Sequence, residues 1–378
     1  MKKTLIPAAL LAALPSVVLA DTTVYGRAHL SVDAYSGTVD GHDVGVSSNS
    51  SRLGFKGQET IGKDLAALWQ IETTVDMTDA ASAFTSPRNT FAGLKGGFGT
   101  LVAGIHDTPM KSMSTAYNLF NDQVGDVRNL LHYAKQTGFK GSTIGFDGRF
   151  KNTLLYVAPK MGGLTASAAY STDIDSAAQC ETKDSAGKCA FVGSNDDNNN
   201  DGYSLSAGYT LGGFHIDAAY EAHNADTSKL AAISGFSRAD SESLWRAGLG
   251  YKTKDFRVFG FVEQSQDLGF VDGQKRMDWS LGASYAMGSH MLKAQYTQAG
   301  KLEQPAGDVA DSEAAMLAVG YDYKLSKQTT LLVAYAKSMN GDNATFTPWS
   351  YAHGDNPVLE AGAGKDGGVF SVGLMHNF

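Results

Sequence analysis

Cysteine is nearly absent from this chain, with two in 378 residues, Cys180 and Cys189. Proline is scarce as well, at eight, so few positions lack the backbone donor that a strand ladder needs. Beyond residue 20 no run approaches 18 consecutive apolar residues, which excludes a membrane-spanning helix. It does not exclude membrane-spanning strands, because alternation of apolar and polar residues keeps any window average near neutral. A basic excess is also missing. The formal charge is -8, and phosphate binding needs a basic face, so nucleic acid is excluded as a partner. No G-x-S-x-G elbow, H-E-x-x-H pair or glycine-rich phosphate loop occurs, and no enzymatic activity is expected.

Glycine, by contrast, is abundant, 43 residues of 378 against a typical ~7%. The first twenty residues combine Lys2 and Lys3, an apolar run from Leu5 to Leu19 and small residues before a break after Ala20. That is the grammar of a signal peptide, so residues 1–20 are expected to be removed and 21–378 to form one domain. Losing the two lysines takes the charge from -8 to -10 (-8 minus 2).

Period-two alternation recurs from end to end. Val24, Gly26, Ala28, Leu30, Val32 and Ala34 face one way, while Tyr25, Arg27, His29, Ser31, Asp33 and Tyr35 face the other. Leu65, Ala67, Trp69, Ile71 and Val75 oppose Gln70, Glu72, Thr74 and Asp76. The end of the chain repeats the pattern, with Phe370, Val372, Leu374 and Phe378, and His376 among them, against Val369, Ser371, Gly373, Met375 and Asn377. A helix would scatter those charges around its axis; a strand sorts them.

The connections carry a second signal. Short turns at 61–63, 96–98, 161–163, 211–213, 252–255, 287–289 and 325–327 alternate with polar segments at 36–48, 78–87, 107–148, 175–202, 224–242, 265–276, 301–312 and 339–366. Seven turns and eight loops leave sixteen strands. The fold class is therefore all-β: a sixteen-stranded antiparallel transmembrane barrel with short turns on one side and long loops on the other. A soluble sandwich would also alternate, but its Greek-key links do not keep this rhythm.

Five ordered segments, Val24 to Arg27, "SRLGFKGQE" from Ser51, "FAGLKGGFGTLVAG" from Phe91, "RFKNTLLYVAPKMGGL" from Arg149 and "SVGLMHNF" from Ser371, resemble the signature segments of the Gram-negative general porins, the group that includes the neisserial porins. The resemblance covers residues 21–378. It implies an outer-membrane homotrimer in lipid, each barrel passing ions and small hydrophilic solutes through a water-filled pore, with no cofactor or metal. It also implies that the third loop folds inward and that Phe378 is the signal read by the outer-membrane assembly machinery.

Within that frame the third loop, Asp107 to Gly148, is expected to bring Asp107, Asp122 and Asp126 to a constriction, resting as a polar segment in water. The family's basic ladder falls on Arg52, Arg88 and Arg149. Arg52 and Lys56 share the polar face of their strand on periodicity alone, and Arg27 and Glu72 are further pore-lining positions. Ile105 and His106 stand where the family often has a basic residue, which leaves the ion preference open at this stage.

Cys180 and Cys189 suit a small disulfide ring in the fourth loop, with metal ligation as the alternative. Asp197, Asn199, Asp201 and Gly202 open like a calcium loop, but the twelfth position is Gly208 and not Glu, so a solvated loop is expected. Two other functional classes fit the same barrel: a plugged structural or adhesive protein, and a hydrolase using His29, His106 or His132.

Overall fold

A computed structural model describes residues 21–39, 44–78, 84–131, 145–174, 200–224, 237–351, 353–354, 357 and 363–378. The first twenty residues, Cys180, Cys189, His132, Asp197 and Asn199 lie outside the described residues. Sixteen strands form a closed wall: Asp21–Ser36, Arg52–Gly62, Leu65–Val75, Thr90–Gly96, Gly99–Asp107, Arg149–Val157, Leu164–Ser171, Gly202–Leu211, Phe214–Asn224, Ser241–Lys252, Phe256–Gln266, Lys275–Met287, His290–Ala299, Ala314–Lys324, Thr329–Asn340 and Gly367–Asn377. Each pairs antiparallel with the next, joined by the turns expected from the sequence. No helix among the described residues is long and apolar enough to cross a membrane; the strands do so.

Closure occurs between the two ends of the chain. The first strand pairs with the last from Arg27 opposite Asn377 to Ser36 opposite Gly368. Two backbone bonds between Gly26 and Phe378, at 3.0 and 3.1 Å, finish the seam. The Phe378 ring lies where a Cβ at residue 26 would sit, so only glycine admits it there. With the ring shut, no strand edge is left to lipid, which could not hydrogen-bond it.

The alternation read from the sequence sorts as the barrel requires. Leu94, Leu101, Leu154, Leu205, Ile216 and Leu281 all point outward and are exposed. Aromatic residues flank this aliphatic band: Phe98, Tyr209, Phe214 and Phe378 near the short turns, Tyr170, Tyr203, Trp245 and Trp279 near the long loops. Rings at the two water boundaries with aliphatic side chains between them are the lipid-facing pattern of such barrels. Inward, His29, Ser31 and Asp33 alternate with exposed Val32 and Ala34.

Some segments expected to be loops are more ordered. Val44–Ser48 and Phe84–Pro87 are short strands that extend the second and fourth wall strands upward. The third loop begins with the helix Pro109–Ala116, started by the Thr108 side chain accepting from Lys111 N at 3.1 Å and by proline in its first turn.

Candidate functional site: the eyelet

Three of the basic wall residues sit at bulges. Arg27 opposes Arg52 while Leu30 opposes Ser48, so three steps on one strand meet four on its neighbour. The same mismatch recurs where Gln70 opposes Phe91 and Thr73 opposes Pro87, around Arg88. It recurs again where Gly104 opposes Thr153 and Asp107 opposes Arg149. A bulge bends its strand and re-aims the side chains beside it. Here Arg52, Arg88 and Arg149 are turned into one region of the lumen, where Arg27 joins them.

The third loop crosses the lumen to meet them. At Asp122 the backbone turns through φ 58°, a left-handed conformation that aspartate tolerates better than most residues. Its carboxylate receives Arg52 at 2.9 Å and Arg27 at 3.1 Å on one oxygen and Arg128 at 3.6 Å on the other. Burial would raise that carboxyl, but Arg128, Arg52 and Arg27 outweigh it and hold it down to about 2. Asp107 binds Arg149 at 2.9 Å and Lys111 at 3.0 Å. On the wall, Glu72 takes Arg88 at 2.6 Å and the Tyr25 hydroxyl at 2.9 Å.

All of these groups except Glu72 and Tyr25 line a cavity of about 370 Å³. Its charged lining is Arg27, Arg52, Arg88, Lys111, Arg128 and Arg149 against Asp107 and Asp122, six cations to two anions. Counting Glu72 and Asp126 directly behind them, the balance is six to four. An acidic chain thus carries a basic cavity in its lumen, the candidate eyelet. Asp126 is fully buried, accepting from Arg128 at 2.6 Å, Asn118 at 2.8 Å and the Asp122 backbone at 2.9 Å. It braces the loop and does not line the cavity. Lys56 stands apart too, lining a separate hollow of about 330 Å³ with Gln70 and Phe91.

Apolar packing fixes the loop, contrary to the expectation of a polar segment resting in water. Met110, Tyr117, Leu130, Leu131 and Phe146 are fully buried against wall residues such as Leu244, Phe259 and Met316, and Phe120 is fully buried against Ala318, Ala334 and Ala336. At residue 248 a Cβ would meet the Tyr117 ring, so glycine there makes room for the loop. Tyr117 donates to Asp217 at 2.7 Å, and burial together with that bond pushes its phenol well above the usual range.

Behind the loop lies a sealed cluster that sequence reasoning missed. Arg246 binds Asp147 at 2.9 and 3.0 Å and also pairs with Glu263; the three are 0 or 1% exposed. Arg246 and Glu263 are directly opposite across one hairpin, so that half was readable from register. Lys111 was also findable, four residues after Asp107 at a helix start.

Of the histidines singled out from sequence, His132 lies outside the described residues, and His29 and His106 stand on separate wall strands. His29 is buried within the wall, and His106 contacts its neighbour's carbonyl at 2.8 Å. His353 meets Ser47 at 2.9 Å and Asp33 at 3.0 Å through the same Nε2. This cluster ties a loop to the wall. Asp201 accepts from Asn224 at 3.1 Å, and Gly202 opens a wall strand.

A family model described as "Gram-negative porin" matches residues 8–343. The chain is 26% identical over 367 residues to the major outer membrane protein P.IB of Neisseria gonorrhoeae, covering 91% of this chain and 95% of that one. Among solved structures it is similar to the anion-selective porin from Comamonas acidovorans, with TM-score 0.71 and 23% identity over 95% of this chain and all of the other. The trimer form of OmpT from Vibrio cholerae gives TM-score 0.64 at 17% identity, over 95% and 99% of the two chains.

Proposed function

Because this chain belongs to the Gram-negative porin family and is a general diffusion porin of the outer membrane, we propose that its eyelet passes small anions in preference to cations. The observation that carries this reading is the cavity lining, six cations to two anions. Ions crossing a narrow, charge-lined opening respond to its net sign, and at physiological salt the field reaches about 8 Å. Arg27, Arg52, Arg88 and Arg149 form the positive rail, with Asp122 on the loop opposite and Asp107 beside Arg149 on the wall.

The chain assembles as a homotrimer after loss of residues 1–20, in this reading, and Phe378 is the element recognised during insertion. The lining groups are guanidinium and carboxylate ions that already hold one another, a chemistry suited to guiding solutes and not to breaking bonds. Purified protein in a planar bilayer tests the proposal. Conductance should appear in groups of three steps, and a potassium chloride gradient should give a reversal potential of the anion sign. A cation-signed potential would overturn the selectivity, and single steps the trimer.

A further inference from the structure

A second chamber of about 310 Å³ lies on the short-turn side of the third loop. Arg27 and Asn121 line both it and the eyelet, so the two spaces adjoin at these residues. Met291, Leu332 and Met375 stand on the lumen face of their strands and line open space, whereas Leu244, Phe259 and Met316 on that face are packed under the loop; Leu119 of the loop lines the same space. Apolar side chains on a wet face add nothing to a purely aqueous passage.

The charges of the chamber are one-sided. Lys293 is satisfied, bound to Asp322 at 2.9 Å and Gln123 at 3.1 Å and lying over the Phe120 ring. Lys324 stands exposed at the rim. Arg27 gives Nε to Asn377 and Nη1 to Asp122, while its Nη2 has no protein partner among the described residues. A guanidinium edge with a spare donor is thus set beside an apolar wall. The volume equals about ten waters at ~30 Å³ each.

We propose that this chamber is a subsite for amphipathic monocarboxylates, short aliphatic acids whose carboxylate meets Arg27 and whose chain lies against Leu119, Met291, Leu332 and Met375. The inference rests on the anion-passing reading of the eyelet and names the class of solute that is delayed just past it. Selection then has two stages: charge at the eyelet, and apolar length below it.

The test uses the reconstituted trimer in planar bilayers, with acetate, butyrate, hexanoate or uncharged hexanol added to either side and the dwell time of blocking events recorded. Hexanoate should dwell on the order of tenfold longer than acetate, since four added methylenes are each partly buried, and hexanol should not block. In a Leu332→Thr, Met375→Ser double variant the hexanoate-to-acetate ratio should fall to near one, while Met375→Leu should keep it. The ratio is internal to each channel, so altered insertion does not enter. Equal dwell for acetate and hexanoate in the unaltered protein, block by hexanol, or an unchanged ratio in the double variant would each overturn the subsite. The chloride reversal potential, read on the same channels, reports separately on the eyelet.

Discussion

Two arginine clusters face the same lumen and lead opposite lives. In the eyelet, Arg27, Arg52 and Arg149 keep 25, 17 and 20% of their side chains exposed, and cations outnumber carboxylates. Behind the loop, Arg246 is 1% exposed between Asp147 and Glu263. The third loop makes the difference, because its apolar side chains press against the wall strands near Tyr117 and Leu130 and exclude water there. Inward-facing charge in a barrel is therefore not one category. On the wet side it is available to solutes; on the dry side it fastens the loop that creates the wet side.

The largest expected effect comes from the dry cluster. Arg246→Met leaves two buried carboxylates without their cation and should cost about 3–5 kcal/mol, read as a lowered unfolding temperature of the barrel in detergent. Arg149→Met, at the wet cluster, should cost about 1 kcal/mol or less. Equal losses would break the comparison. Replacing Arg246, Asp147 and Glu263 together by apolar residues should recover most of the stability, since an uncompensated charge and not the missing pair is what destabilises.

Conductance should separate the clusters in the reverse order. Arg52→Glu or Arg149→Glu changes the eyelet by two charges, and the reversal potential in a salt gradient should move toward cations. The anion-to-cation permeability ratio should fall roughly threefold to tenfold at 0.1 M salt. An unmoved potential would place those residues outside the conducting path.

A smaller effect is expected in acid. The Asp122 carboxyl lies at about 2 in the folded protein against an ordinary 3.8. A depressed carboxyl stabilises fully above the ordinary value and loses its contribution as pH falls through the folded one. The tie from loop to wall should thus hold at pH 4 and weaken between about pH 4 and 2, by about 2 kcal/mol in all. Current noise from loop movement, recorded down that range, checks it, and Asp122→Asn should show at pH 7 the noise that the unaltered protein shows near pH 2. The smallest effect is on salt: anion preference should shrink toward 1 M, where the screening length is about 3 Å.

Most of the wall was legible beforehand, because a strand's face assignment depends only on parity, and the turns punctuate it at regular intervals. Arg52, Arg88, Arg149, Asp107 and Asp122 were legible as members of one site through the family pattern. What the sequence hid depends on packing between distant segments. Asp126 looks like its neighbour Asp122, yet the loop turns it inward to brace Arg128. Arg128 and Lys111 join the eyelet only because the loop's helix and its second short helix, Arg128–Leu131, dock on particular strands. Asp147 finds Arg246 across 99 residues, a distance no local pattern bridges.

The seam between Gly26 and Phe378 has a consequence for how the molecule comes into being. The contacts that join the ends span some 350 positions, as with Arg27 and Asn377, and pairings that distant form slowly. A ribosome makes the first strand some 350 residues before the strand with which it must pair. Until then one border of the growing sheet has bare donors and acceptors, an invitation to stray chains. The cylinder therefore exists only as a finished object, and removing even the closing aromatic residue would shorten the clasp that ends that exposure.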